Sequence, residues 1–226
     1  MNCADGNTMP SPETQDLDIS DWAPLSPTTV VDALRGCDKP FWIAGGWALD
    51  LLVGEQTREH RDTDVLILTR DQLAIQRHLS SDWVLYKTQQ PTPSKLAPWP
   101  AGEYLPPESG INDIWVKNEV GGPWVFQIMF LQSSEDHWTF RRDERLGGPL
   151  SDIGWETPEG LPVLSPQIQL LFKGAKDRRP KDDADFHTAR AHLSDHQQRW
   201  LARGLRLQFG DDHEWLEFLE SASSLG

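Results

Sequence analysis

The chain has 226 residues, enough for one compact domain or two lobes sharing a cleft, so neither disulfides nor zinc is needed to hold it together. It carries 21 basic against 35 acidic residues and a formal net charge of -14; a surface of that sign repels polyanions and excludes broad nucleic-acid binding, though a local basic pocket for one nucleotide remains compatible with it. Its two cysteines, Cys3 and Cys37, form no CxxC pair, which suits a reducing compartment with neither a disulfide nor a zinc knuckle.

Residues 1–20 are acidic and rich in Pro, Ser and Thr and read as a flexible leader; with no basic or apolar region they make no signal peptide. The most apolar run, residues 41–53, is interrupted by Gly45, Gly46 and Asp50 and falls short of the roughly 18 apolar residues of a membrane span. A cytoplasmic protein is therefore expected. The eleven tryptophans are scattered rather than periodic, as in a packed core and unlike a repeat array.

Ser26-Pro27-Thr28-Thr29 opens a short helix through Leu34. Phe41 to Ala44 follows Pro40 as a strand, and Gly45-Gly46 starts a helix to Val53 that Gly54 stops. Residues 63–68 read as the next strand and 71–79 as a helix with Leu73, Ala74, Ile75 and Leu79 inward. Three further strands are predicted at 83–87, 111–117 and 124–131, the last two joined by the glycine-containing loop 118–122. The intervening 90–110 segment carries six prolines and reads as a lid or rim. From about Leu150 the pattern turns helical: Ser165 as N-cap and Pro166 at the first helical position precede Ile168, Leu171, Phe172 and Ala175 on one stripe. Further helices are expected at 182–193, after a Ser194/Gln197 capping box, and at 212–219. The expected division is a leader at 1–20, a core domain at 21–150 and a helical region at 151–226.

Asp62 and Asp64 stand two apart at the mouth of a strand, so the period of two puts both carboxylates on one face. Two carboxylates plus substrate phosphates are a usual ligand set for Mg²⁺. One supersecondary unit earlier, Gly45 and Gly46 begin a helix whose N-terminal dipole end can receive a phosphate. Each signal is common alone. Together, in Phe41-Trp42-Ile43-Ala44-Gly45-Gly46-Trp47-Ala48-Leu49-Asp50 and Thr57-Arg58-Glu59-His60-Arg61-Asp62-Thr63-Asp64, they closely resemble the polymerase-beta-like nucleotidyltransferase superfamily, in its aminoglycoside and lincosamide adenylyltransferase-like branch.

The resemblance runs from about Pro40 to Leu193. It implies an α+β fold, with a mixed β-sheet flanked by helices and followed by a C-terminal helical lobe. It also implies transfer of a nucleoside monophosphate, AMP from ATP in the first instance, to a hydroxyl of a small acceptor such as an aminoglycoside-like compound. Gly45 and Gly46 would hold the triphosphate, and Asp62 and Asp64 would be catalytic ligands of Mg²⁺. Arg58 would pair with a phosphate, with Asp50 and Asp64, or in a structural ion pair near the site, and His60 would be a hydrogen-bonding partner behind the metal rather than its ligand.

The family's third carboxylate, on a later strand, falls on Gln127, which cannot accept a proton; Asp113 on the adjoining strand is the substitute candidate for the base. Lys173, in a segment resembling the lysine helix of related enzymes, is expected to face the cleft and the triphosphate. Asp182 and Asp185 either position it or Lys181, or are ordinary acids at a helix start. Trp99, Tyr104, Trp115 and Trp124 are candidates for stacking on a base but equally core residues, and Arg141, Arg142 and Arg145 read as a solvated patch. The acidic balance favours a cationic acceptor. Two other readings stand beside this one: a toxin-type enzyme modifying tRNA or protein, against which the net charge argues for tRNA, and a nucleotide-binding protein that Gln127 has deprived of turnover.

Overall fold

The computed structural model describes residues 17–92 and 95–221. Pro27–Leu34 forms α1, with the Ser26 hydroxyl accepting from the Thr29 amide at 3.2 Å. Phe41–Ala44 forms β1 and Gly45–Val53 forms α2, the chain turning between them at Gly45 with φ +68°. That left-handed backbone is one only glycine adopts without strain. Gly54, at φ +91°, ends the helix.

Asp64–Leu68 (β2) leads to Gln72–Leu79 (α3), Val84–Thr88 (β3), Leu96–Pro98 (β4), Asp113–Lys117 (β5) and Trp124–Ser133 (β6). His137–Thr139 (β7), Gly147–Pro149 (β8), Gly154–Glu156 (β9) and Pro162–Leu164 (β10) precede four helices, Pro166–Lys173 (α4), Pro180–Ala189 (α5), Asp195–Phe209 (α6) and Trp215–Ser221 (α7). The sheet order is β4-β3-β5-β6-β2-β1-β10-β9, with β7 and β8 extending from β6. It is mixed: β2 runs parallel to β6 and β1 parallel to β10, while β1 and β2 are antiparallel.

Alternation along the central strands sorts their side chains onto two cores. Val65, Ile67, Phe126, Ile128 and Phe130 bury with α1 and α3, whereas Leu66, Leu68 and Leu131 bury with α4, α5, α6 and α7. Asp64 shares its parity with Leu66 and Leu68, and Gln127 with Leu131, so the polar strand ends face the C-terminal helices. The space between sheet and helices is therefore where the site must lie.

Four expectations need correction. The stretch after Leu150 is not yet helical: β9 and β10 join the sheet, β10 beside β1, and helix begins only at Pro166. These strands are three residues each and contain Gly154 and Pro162, too short and too broken to carry a period of two. Residues 1–16 of the expected leader lie outside the described residues, but its end is docked, since Trp124 donates through its indole N–H to the Asp18 carbonyl at 2.8 Å and Trp22 bridges to Trp124. Ser165 holds the N-cap position of α4 as expected, but its side chain does not cap the helix; its hydroxyl donates to the Asp152 carbonyl at 2.9 Å. On α3 the buried face includes Gln72 and Gln76 beside Ile75 and Leu79. Their amides hold the Pro100–Leu105 part of the proline-rich loop.

Candidate active site

Asp64 opens β2 at the point where β1 hands over to α2, paired with Ala44 on one side and Gln127 on the other. Gly45 makes this juxtaposition possible: a Cβ there would stand 2.1 Å from Asp64 Oδ2. A cleft of about 310 Å³ is lined by Gly45, Asp64, Asp113, Gln169 and Lys173, with Arg141, Arg142, Arg178 and Arg179 around it. Enclosure, and then the charge of Asp62, push the Asp64 carboxyl up to about 7, with Lys173 pulling the other way. Asp62 and Asp64 are the acids of this corner. Their oxygens are hard donors and suit Mg²⁺ completed by water and phosphate, whereas no cluster of three or more His, Cys, Asp or Glu suited to a metal exists among the described residues.

Asp113 lines the same cleft from β5 and accepts from the Gln127 amide at 3.1 Å. Burial raises its pKa above the usual carboxylate range, the Gln127 bond and the Arg141 charge partly opposing. Gln127 thus fixes the orientation of the Asp113 carboxylate. Lys173 is buried, 2.8 Å from Asp185 and 3.2 Å from Asp182. Both acids are doubly used: Arg179 forks onto Asp182 at 2.8 and 3.0 Å, and Arg58 onto Asp185 at 2.7 and 2.9 Å. Burial opposes ionisation of each acid, yet Arg179 with Lys173, and Arg58 with Lys173, hold both pKa values below the ordinary range. Arg58, Lys173 and Arg179 set against Asp182 and Asp185 leave one positive charge in excess beside the acidic floor.

Among the sequence candidates, Gly45, Asp64, Asp113 and Lys173 come together in the cleft. Asp62 stands next to it and is felt electrostatically by Asp64, Arg58 and Arg179. Two candidates are placed differently. Arg58 faces Asp185 in the structural ion pair, not Asp50 or Asp64. Gly46 makes room for side chains, since a Cβ there would meet the His60 ring at 2.4 Å and Arg58 Nη2 at 2.6 Å. The Gly45 amide, expected to await a phosphate, donates to Gln169 Oε1 at 2.7 Å.

Arg141 and Arg142 are not a patch apart from the site but line the cleft, Arg142 also donating to the Phe172 carbonyl at 3.0 Å. Arg145 pairs with Asp143. None of Trp99, Tyr104, Trp115 and Trp124 lines the cleft; its aromatic side chains are Phe130 and Phe172. Sequence reasoning missed Gln169, a buried amide beside the apolar stripe of α4; its one signal is a polar residue within a helix otherwise packed on both sides.

Residues 28–98, which hold the glycine turn and both aspartates, match the family model described as aminoglycoside-2''-adenylyltransferase. The chain is 26% identical over 161 residues to a lincosamide resistance protein of Staphylococcus haemolyticus, covering 70% of this chain and 88% of that one. Its fold is similar to the lincomycin-bound lincosamide antibiotic adenylyltransferase LnuA, with TM-score 0.53, 20% identity and coverage of 76% of this chain and 99% of the other. It is also similar to ANT(2")-Ia in complex with adenylyl-2"-tobramycin, with TM-score 0.52, 14% identity and coverage of 79% and 95%. At these identities the solved structures establish the fold. Together with the sequence matches, they make the chain similar to the aminoglycoside and lincosamide adenylyltransferases.

Proposed function

We propose that the protein transfers the nucleoside monophosphate of a triphosphate, ATP foremost, to a hydroxyl of a small antibiotic-like acceptor, with Mg²⁺ held by Asp62 and Asp64. The observation that carries this reading is the convergence of Asp64, Asp113 and Lys173 on one cleft beside the glycine turn. Bound Mg²⁺ would supply Lewis-acid neutralisation of the phosphates. The chain's own groups do the rest. Lys173, with the excess positive charge around it, attracts the triphosphate, and Arg141 and Arg142 add charge at the rim. Asp113 takes the acceptor's hydroxyl proton, for which a raised pKa suits it better than an ordinary carboxylate.

Lincomycin and tobramycin appear with the relatives above, and compounds of both kinds are the acceptors to try first. The acceptor's charge does not follow from the net charge of the chain, because the lining mixes Arg141, Arg142, Lys173, Arg178 and Arg179 with Asp64, Asp113, Asp177 and Asp182. A cytoplasmic protein suits these substrates, and no described helix is long and apolar enough to cross a membrane. Thermal shift with Mg²⁺ and each triphosphate, followed by pyrophosphate release with each acceptor, tests the reading. A second reading, nucleotide binding without turnover, is favoured by Gln127 standing directly beside Asp64 on β6; it requires triphosphate binding with no pyrophosphate released under any acceptor.

A further inference from the structure

The ion pairs that reach Lys173 begin at a residue outside the cleft. His60 is buried, and its ring packs against Trp47 with centroids 4.5 Å apart. Arg58 has only N–H groups to offer, so its Nη1 donates to His60 Nδ1 at 3.0 Å and that nitrogen accepts. The ring proton therefore sits on Nε2, which donates to Asp50 Oδ2 at 2.5 Å. The other Asp50 oxygen accepts from the Thr57 hydroxyl at 2.6 Å, and Arg58 Nη1 also donates to the Glu59 carbonyl at 3.1 Å. Beyond Arg58 the path continues through its fork on Asp185 to Lys173. It joins α2 to α5 and α4, which pack against it, and Gly46 leaves the space through which the histidine and arginine pass.

We propose that His60 is a positioning residue: in its Nε2–H tautomer it fixes the Arg58 guanidinium in the orientation that forks onto Asp185, and so sets Lys173 on the phosphate side of the cleft. The proposal rests on the reading of the cleft as a triphosphate site. Without an acceptor at Nδ1, Arg58 keeps Asp185 but loses the contact that selects its rotation, and the Asp185 oxygens shared with Lys173 are free to shift. A histidine present only to pack against Trp47 has no such consequence.

Two substitutions separate these roles. In His60→Asn the amide oxygen stands near the position of Nδ1 and still accepts from Arg58, whereas in His60→Gln the amide reaches toward Asp50 and preserves the other half of the ring's bonding while keeping more of its volume. Calorimetric titration with MgATP is expected to give a dissociation constant within about 3-fold of the parent for His60→Asn, and at least about 10-fold weaker for His60→Gln and for Gly46→Ala, the scale of one hydrogen bond to a charged group. AMP, which lacks the outer phosphates, should bind all variants alike. Equal effects of the two His60 variants, or better binding by His60→Gln, would overturn the proposal. If the variants do not fold, the imidazole ¹⁵N shifts of the parent decide: an Nε2–H ring with an accepting Nδ1 supports the relay, and an Nδ1–H ring refutes it. A parent that binds no triphosphate refutes the reading of the cleft instead, and the same shifts then judge the relay separately.

Discussion

Gly45→Ala tests how closely the glycine turn and the aspartate depend on each other. An alanine must accept the φ of +68°, at a cost of about 1–2 kcal/mol. Its Cβ would stand 2.1 Å from Oδ2, 2.9 Å from Cγ and 3.1 Å from Cβ of Asp64, so rotating the carboxylate alone does not clear it. Pushing a side chain off its rotamer adds about 0.5–1.5 kcal/mol, for a total of about 1.5–3.5 kcal/mol. In a chain of this size that lowers Tm by roughly 3–14 °C, at about 2–4 °C per kcal/mol. Transfer should fall further, because displacing a reacting group by about 1 Å costs on the order of 10²-fold in rate. Gly54→Ala is the matched control: it meets the same backbone strain, with φ +91°, but has nothing within 4 Å of a new Cβ, so its cost is only the first ~1–2 kcal/mol and its activity is retained. Thermal melts and initial rates on both variants complete the comparison. If Gly45→Ala matches Gly54→Ala in both, the contact between the turn and Asp64 has no functional weight.

Asp62→Asn and Asp64→Asn should each abolish Mg²⁺-dependent transfer with far-UV circular dichroism unchanged, and full activity in either would remove that residue from the metal site. In chelator-treated buffer the pH dependence has a definite sign. With the folded Asp64 pKa near 7 against an ordinary 3.8, the native state binds more protons between those values, so parent stability falls as pH rises from about 4 to about 7. Asp64→Asn should flatten that descent in urea melts, and an unchanged slope contradicts it. Asp113→Asn should slow transfer by about 10²- to 10⁴-fold, the usual worth of a general base, with MgATP affinity kept; a silent substitution assigns proton removal elsewhere. Gln127→Glu replaces the donor to Asp113 with a like charge and should destabilise by about 1–3 kcal/mol, measurable by denaturant titration, where parent-like stability would count against the bond. Arg141→Ala should weaken MgATP binding with Tm unmoved, since its exposed side chain lines the cleft but makes no hydrogen bond or ion pair among the described residues; a fall in Tm without loss of affinity would contradict that role.

What could be read from the sequence is what neighbours in the chain determine. The β1–turn–α2 unit and the Ser194 capping box, whose two halves are both present, are set within a few residues. That Lys173 faces the cleft was legible from its place beside the apolar stripe of α4, while the sequence left open whether Asp182 and Asp185 meet it, and the structure pairs both with it. The resemblance to a known family supplied the chemistry that these local patterns leave open. The illegible parts are contacts between distant segments. Gln169 meets Gly45 across 124 residues and Arg58 meets Asp185 across 127, and no periodicity announces either. Arg141 and Arg142 look like surface charge until the β7–β8 turn is folded over the cleft. The two buried glutamines of α3 look like its solvent face until the proline-rich loop needs their amides for its own backbone groups.

The most direct measurement incubates the purified protein with MgATP and, in turn, a lincosamide and an aminoglycoside, following pyrophosphate release and the mass of the acceptor. The expected result is stoichiometric pyrophosphate and an acceptor heavier by one nucleoside monophosphate with at least one of them, both lost in Asp64→Asn. Tight triphosphate binding with no pyrophosphate and no change in acceptor mass would contradict it.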